Sequence, residues 1–133
     1  MKIIISGATG SLGGALVRHY AANGHEVLAL GRVERAPEGL LKLADYRKQD
    51  ITKSFKLPKA DVIIHAAAFS GDKGVLNDFI LANEMGTYNM LAASNDSPVF
   101  IHISSSSVYL PSQNPIFETS AEFMKMCASI IKQ

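Results

Sequence analysis

The sequence has 133 residues, of which 47% are hydrophobic and 19% are charged. This length suits one domain, residues 1–133, with a buried core, and the composition excludes disorder as the dominant state. The formal net charge of +1 comes from interspersed charges rather than from a basic run. That distribution argues against nucleic acid and anionic membranes as partners.

The sequence also predicts the compartment. A single cysteine, Cys127, rules out an intramolecular disulfide framework and indicates a reducing environment. The opening "MKIIISGATG" has too few apolar residues before its Ser-Gly pair for a signal peptide. No apolar run approaches the length needed to cross a bilayer. We therefore expect a cytoplasmic protein that does not act at a membrane.

Short apolar runs alternate with helix-like segments along the chain. The predicted strands are residues 2–6, 25–30, 46–50, 61–67 and 98–104, the third being weak and suited to a sheet edge. The predicted helices are residues 11–23, 73–94 and 119–132. Strands that are apolar throughout and that alternate with helices indicate a parallel sheet covered on both faces. The predicted fold class is therefore a doubly wound, Rossmann-type α/β fold.

Such a sheet binds its ligand at the carboxyl ends of its strands. After the first strand, "SGATGSLGG" spaces three glycines as in a dinucleotide fingerprint. Gly7 permits a tight turn, Gly10 lets the backbone approach a pyrophosphate, and Gly13 lets helix and strand pack closely. The helix N-terminus points its free N–H groups at the phosphates, whereas the alternative interpretation is a plain glycine-rich turn. The cofactor-binding residues predicted here are Gly7, Thr9, Gly10, Ser11, Leu12 and Gly13.

The end of the second strand predicts which cofactor is preferred. An acidic residue there holds the ribose 2′-hydroxyl of NAD, whereas an arginine accommodates the 2′-phosphate of NADP. In "VLALGRVERAPEGL", Gly31 stands where the acid would be, and Arg32 follows with Arg35 nearby. A guanidinium matches phosphate geometry, although the two arginines could also be a solvated loop. This pattern favours NADP over NAD, with Arg32 and Arg35 as cofactor-binding residues.

Five motifs in order carry a family resemblance. They are "GATGSLGG", "QDITKSF", "DVIIHAAA", "NEMGTYNML" and "FIHISSSSVYL". With these motifs the chain, from Met1 to about Thr119, resembles the extended short-chain dehydrogenase/reductase family, the NAD(P)-dependent epimerase/dehydratase group. The resemblance implies hydride transfer with a nicotinamide cofactor and a small-molecule substrate, commonly a nucleotide sugar. It also implies a homodimer through the helices at 73–94 and 119–132.

The resemblance assigns further cofactor contacts. Asp50 and Ile51 correspond to the pair beside the adenine, although an aspartate here could equally be a turn or cap residue. Asn83 corresponds to a helix asparagine near the active site, with a structural contact as the alternative. His65 is interpreted as a packed core histidine. The small residues expected against the nicotinamide ribose are Ala66, Ala67 and Ala68.

The serine run in "FIHISSSSVYL" is either a linker or the end of a buried strand that carries a catalytic hydroxyl. The resemblance favours the second interpretation. Counting back from Val108, the matching catalytic position is Ser105. Its hydroxyl is expected to hydrogen-bond the substrate oxygen and a catalytic tyrosine, stabilising developing charge.

The chain departs from the family at the Tyr-x-x-x-Lys pair that should follow this serine. The nearest match places Phe123 at the tyrosine and Cys127 at the lysine, and neither side chain can perform that acid–base chemistry. Tyr109 belongs to the serine motif itself. We therefore expect little or no turnover by this chain. It could be a fragment with an incomplete C-terminus and no substrate-binding region, a non-catalytic NADP-binding or regulatory module, or a variant with a substitute for the tyrosine.

Overall fold

The computed structural model describes residues 1–70, 74–94 and 97–105. The chain divides into two compact units, Met1–Ile103 and Ser104–Gln133, so the expectation of one domain over residues 1–133 stays a prediction. The strands are β1 (Lys2–Ser6), β2 (Glu26–Gly31), β3 (Asp45–Lys48), β4 (Val62–His65) and β5 (Val99–His102). The helices are α1 (Ser11–Ala22), α2 (Glu38–Leu41), α3 (Leu76–Phe79), a π-helical segment (Ile80–Met85) and α4 (Gly86–Ala93).

The strands of the described residues form one parallel sheet in the order β3-β2-β1-β4-β5. The central strand β1 pairs with β2 on one side and with β4 on the other, so the strand order reverses beside β1. This reversal is the switch point at which a doubly wound sheet opens a crevice for a ligand. The predicted parallel α/β fold is confirmed, and β3 lies at an edge of the sheet as expected.

The core lies on both faces of the sheet, which explains why β1 is apolar throughout. Ile3 and Ile5 pack on one face with Val17 of α1, and Ile4 packs on the other with Met90 of α4. All five side chains are almost completely buried. Burying an aliphatic side chain of this size stabilises a fold by roughly 1.5–3 kcal/mol, so the layers on both sides hold the sheet edge that carries the site.

Several element bounds differ from the predictions. The strand predicted at 61–67 ends at His65, which pairs with Ser6, the last residue of β1. Ala66 and Ala67 lie outside the sheet. The helix predicted at 73–94 begins at Leu76 and passes through a π-helical segment. The short helix α2 was not predicted; it follows Pro37, whose fixed φ suits a helix start.

The predicted helix at 119–132 lies outside the described residues. Within the described ranges, no helix is long and apolar enough to cross a membrane.

Candidate functional site

A cavity of about 230 Å³ opens at the carboxyl ends of β1, β2 and β4. It lies at the switch point, where a ligand is expected in this fold. The predicted site residues that line it are Gly7, Thr9, Gly10, Arg32, Ile51, Ala66, Ala67 and Ala68. The first unit therefore brings eight predicted residues from four separate loops to one cavity.

The loop after β1 has no room for side chains at two of its glycines. Gly7 has a φ of +70°, and a Cβ there would lie 2.8 Å from backbone atoms of Ala66 and Ala67. A Cβ on Gly13 would lie 2.6 Å from the carbonyl carbon of Gly7. At Gly10 the nearest atom would be the Gly7 carbonyl oxygen at 3.2 Å. Glycine is thus required at positions 7 and 13 because another part of the backbone lies too close for a Cβ. A glycine-rich turn that packs against nothing would not have this requirement.

The helix that follows this loop starts without a side-chain cap. Gly10 is the N-cap in an extended conformation, and no hydrogen bond from a described side chain caps α1 there. The first-turn N–H groups of a helix have no intrahelical partners, so those of Ser11, Leu12 and Gly13 are available to an anion. These three residues lie beside the cavity loop without lining the cavity itself.

The end of β2 is crowded at Gly31. A Cβ on Gly31 would lie 2.8 Å from the Tyr46 hydroxyl oxygen and 2.9 Å from the Thr9 methyl group. Tyr46 is fixed there because its hydroxyl donates to the Val33 carbonyl at 2.7 Å. Burial, with Glu34 as a second cause, raises the pKa of the Tyr46 phenol, so it remains a donor. Sequence analysis did not identify Tyr46.

The two arginines after β2 are placed differently. Arg32 lines the cavity, whereas Arg35 is not among the described residues that line it. Arg32 thus places a cation at the end of β2, directly after Gly31. The assignments of Arg32 and Arg35 to a cofactor stay predictions.

Asp50 and Ile51 follow β3 in a turn. Asp50 Oδ1 accepts hydrogen bonds from the Thr52 N–H at 3.0 Å and the Thr52 hydroxyl at 2.8 Å. These bonds are the main reason that the pKa of Asp50 is lowered; Lys53 and Arg32 lower it further. The carboxylate thus makes the turn contact that was its alternative interpretation, while the neighbouring Ile51 lines the cavity.

The segment after β4, residues 66–69, forms one wall of the cavity. We refer to it as the wall segment. Asn83 lies in the π-helical segment. The oxygen and the nitrogen of its side-chain amide both bond the backbone of Phe69 in the wall segment. Its Oδ1 accepts from the Phe69 N–H at 2.7 Å, and its Nδ2 donates to the Phe69 carbonyl at 3.1 Å. This is the structural contact that the sequence left open, so Asn83 borders the cavity through Phe69.

His65, at the end of β4, is completely buried. Its Nδ1 lies 2.6 Å from the Ser6 hydroxyl and its Nε2 lies 3.0 Å from the Thr87 hydroxyl. Burial lowers the pKa of His65 to about 4, with the charge of His102 as a second cause. A neutral imidazole at physiological pH agrees with its interpretation as a core histidine. Ser6 and Thr87 were not identified from the sequence as site residues.

The remaining predictions concern the second unit. Ser105 belongs to that unit, so its catalytic role stays a prediction. Tyr109, Phe123 and Cys127 lie outside the described residues. In the part of the chain that is described, no cluster of three or more His, Cys, Asp or Glu side chains is placed to hold a metal ion.

Residues 3–126 match the model of the NAD dependent epimerase/dehydratase family. A 4-hydroxy-2-methyl-3-oxo-4-farnesyl-3,4-dihydroquinoline-1-oxide ketoreductase from Stigmatella aurantiaca is 30% identical over 115 residues, which cover 81% of this chain and 34% of the relative. A dTDP-4-dehydro-6-deoxy-D-allose reductase from a Streptomyces species is 35% identical over 83 residues, covering 53% of this chain and 25% of the relative. The chain spans about a third or less of the length of these two relatives.

Solved structures agree with the fold. The UDP-glucuronic acid 4-epimerase from Bacillus cereus, in complex with NAD, aligns with a TM-score of 0.70 at 24% identity. The alignment covers 100% of this chain and 53% of the epimerase. At this identity the likeness establishes the Rossmann-type fold.

Proposed function

Because the chain belongs to the NAD dependent epimerase/dehydratase family, we propose that it binds NADP in the cavity at the switch point and serves hydride transfer to a nucleotide sugar. The observation that carries the proposal is the close approach of backbones at Gly7 and Gly13, beside the uncapped N-terminus of α1. Backbone N–H groups presented without side chains fit a pyrophosphate. The residues present therefore fit the family's cofactor.

The preference for NADP is supported by the end of β2. Position 31 carries no carboxylate to hold the NAD ribose, and a side chain there would have to displace Tyr46 and Thr9. Arg32 lines the cavity at the same point and offers a planar set of donors to a phosphate. NAD is the alternative cofactor.

The reaction class is one of epimerisation, dehydration or reduction. The nicotinamide supplies or accepts a hydride when bound. In this chain we assign Ser105 to polarise the reacting oxygen of the substrate. A substrate carbonyl on a nucleotide sugar is supported by two similar proteins, the dTDP-4-dehydro-6-deoxy-D-allose reductase and the UDP-glucuronic acid 4-epimerase.

We expect Arg32→Ala to raise the Kd for NADP by about 10- to 100-fold and to leave the Kd for NAD nearly unchanged. The reason is that a charge-assisted bond to the 2′-phosphate is worth roughly 1.5–3 kcal/mol. Isothermal titration of the whole chain with each cofactor measures both constants. Lys59→Ala removes one positive charge from a residue that does not line the cavity and is the matched control.

An equal loss of NADP and NAD affinity in Arg32→Ala would contradict the 2′-phosphate contact. Arg35→Ala tests the second arginine in the same titration. If neither cofactor binds the wild-type chain or raises its Tm, the proposed function itself is wrong, because a ligand of the native state must stabilise it.

Turnover by this chain is expected to be low, since phenylalanine at position 123 has no proton to transfer. The double variant F123Y/C127K is expected to gain NADPH-dependent reduction of keto-sugar nucleotides. The loss of NADPH absorbance measures this reaction. Wild type and each single variant are the controls. Binding of NADPH without turnover in the double variant would favour the second candidate function, a non-catalytic NADP-binding module.

We further place the protein in the cytoplasm and propose a homodimer through the helices at 73–94 and 119–132. Within the described residues, the first of these helical stretches exposes Leu76 at 75% and Tyr88 at 65%. Exposed apolar side chains along one element favour contact with a partner surface. Sedimentation of Tyr88→Glu against wild type tests this proposal: the variant should shift to monomer.

A further inference from the structure

A chain of hydrogen bonds through the buried side chains of Ser6 and His65 links the cavity to α4. Ser6 and His65 are register partners on the parallel strands β1 and β4, and both side chains are 0% exposed. The Ser6 hydroxyl is 2.6 Å from His65 Nδ1, and the Thr87 hydroxyl is 3.0 Å from His65 Nε2. We call these three residues the relay.

The surrounding bonds fix the direction of each proton in the relay. Thr87 donates its hydroxyl proton to the backbone carbonyl of Asn83 at 2.6 Å. The Thr87 hydroxyl oxygen is therefore the acceptor for His65 Nε2–H. His65 Nδ1 is then unprotonated and accepts the Ser6 hydroxyl proton. The Ser6 oxygen in turn accepts from the Ala67 N–H at 3.3 Å. One tautomer, Nε2–H, therefore satisfies every donor.

The relay ends at the cavity. Ser6 and Ala67 both line it, and Ala67 belongs to the wall segment. The other end of the wall segment is held by Asn83, one helical turn before Thr87, through the backbone of Phe69. The helix thus fixes the wall segment at two points, once through Asn83 and once through the relay.

We propose that Thr87 is a positioning residue for cofactor binding, which acts through His65 and Ser6 on the wall segment. This inference rests on the proposed function. Without the Thr87 oxygen, a buried Nε2–H has no acceptor, which is costly. The imidazole then changes to the Nδ1–H tautomer. The Ser6 oxygen must accept from Nδ1–H as well as from the Ala67 N–H, and the Ser6 hydroxyl proton loses its acceptor beside the wall segment.

The groups that face His65 from the neighbouring elements are few. Across β5 the His102 ring centroid lies 5.4 Å away and that of Phe100 lies 6.2 Å away. From β1 and α4 it meets the neutral hydroxyls of Ser6 and Thr87. Among the described contacts of His65, His102 is the titratable partner, so the experiments are run at one fixed pH of 8, well above the pKa of His65, to isolate the tautomer.

We expect Thr87→Val, which keeps the branched shape and removes the hydroxyl, to shift His65 to the Nδ1–H tautomer and raise the Kd for NADPH about tenfold. Nitrogen-15 NMR of the imidazole reports the tautomer, and fluorescence titration reports the Kd. Thr87→Ser should restore both readouts. Ser94→Ala is the matched control, because it removes a hydroxyl that bonds the Leu91 carbonyl near the end of the same helix, away from the relay.

Each outcome decides one part of the inference. An unchanged tautomer in Thr87→Val overturns the relay. A changed tautomer with an unchanged Kd, or a Kd that rises equally in Ser94→Ala, overturns the positioning role. If wild type shows the Nε2–H tautomer but binds no dinucleotide, the proposed function fails and the positioning role fails with it, while the hydrogen-bond directions stand.

Discussion

Gly7→Ala is expected to lower the free energy of unfolding by about 2 to 5 kcal/mol and to abolish dinucleotide binding. The φ of +70° at this residue costs an alanine roughly 1–2 kcal/mol. The added Cβ would also lie 2.8 Å from the backbone of Ala66 and Ala67, and relieving such overpacking typically costs about 1–3 kcal/mol. Because these atoms belong to the wall segment, the clash deforms the cavity as well. Urea unfolding and cofactor titration measure the two effects.

Gly24 and Gly39 separate the two causes. Gly24 has a φ of +76°, and an added Cβ there would meet no described atom within 4 Å, so Gly24→Ala should lose only the roughly 1–2 kcal/mol of the backbone term. Gly39 likewise has open space in the described structure, without a positive φ, and Gly39→Ala should be nearly neutral. Equal losses for Gly7→Ala and Gly24→Ala would mean that the loop is a plain glycine turn.

The elements of the fold could be predicted where their cause is local or periodic. The isoleucines of β1 are consecutive because strands in the middle of a parallel sheet are buried on both faces, and this pattern is visible in the sequence. The short helix α2 escaped prediction because four residues carry too little periodicity. The π-helical segment was not predicted because the apolar spacing indicates a helix but does not show where its hydrogen bonds change to the i→i+5 pattern.

The site could be predicted less completely because it depends on register. Tyr46 was missed because its place against Gly31 follows from the pairing of β2 with β3, in which Tyr46 is opposite Ala29. The relay was missed for the same reason, since Ser6 and His65 are 59 residues apart and meet only through the pairing of β1 with β4. The turn at Asp50, by contrast, depends on a threonine two residues later and is a local signal.

Stability is expected to fall as the pH drops from about 6.5 to about 4, because His65 is neutral in the folded protein. Its pKa is lowered from 6.5 to about 4 by burial and by His102. In this window the unfolded chain binds a proton that the folded chain does not, so acid favours unfolding. The contribution of the neutral His65 imidazole to the free energy of unfolding is fully present above pH 6.5 and is lost by pH 4. The total loss is about 3 kcal/mol.

Urea unfolding at half-unit steps of pH measures this loss, and histidine variants assign it. His65→Gln removes the titrating ring, so its stability should vary about 3 kcal/mol less than that of wild type between pH 6.5 and 4. His19→Gln, at an exposed position of α1, is the matched control for the loss of a histidine. His102→Gln removes the charge that helps to lower the pKa of His65. The folded-state pKa of His65 should then rise, so the pH range over which stability is lost should end above pH 4. A slope in His65→Gln as steep as that of wild type would place the acid sensitivity elsewhere and would contradict a neutral, buried imidazole in the relay.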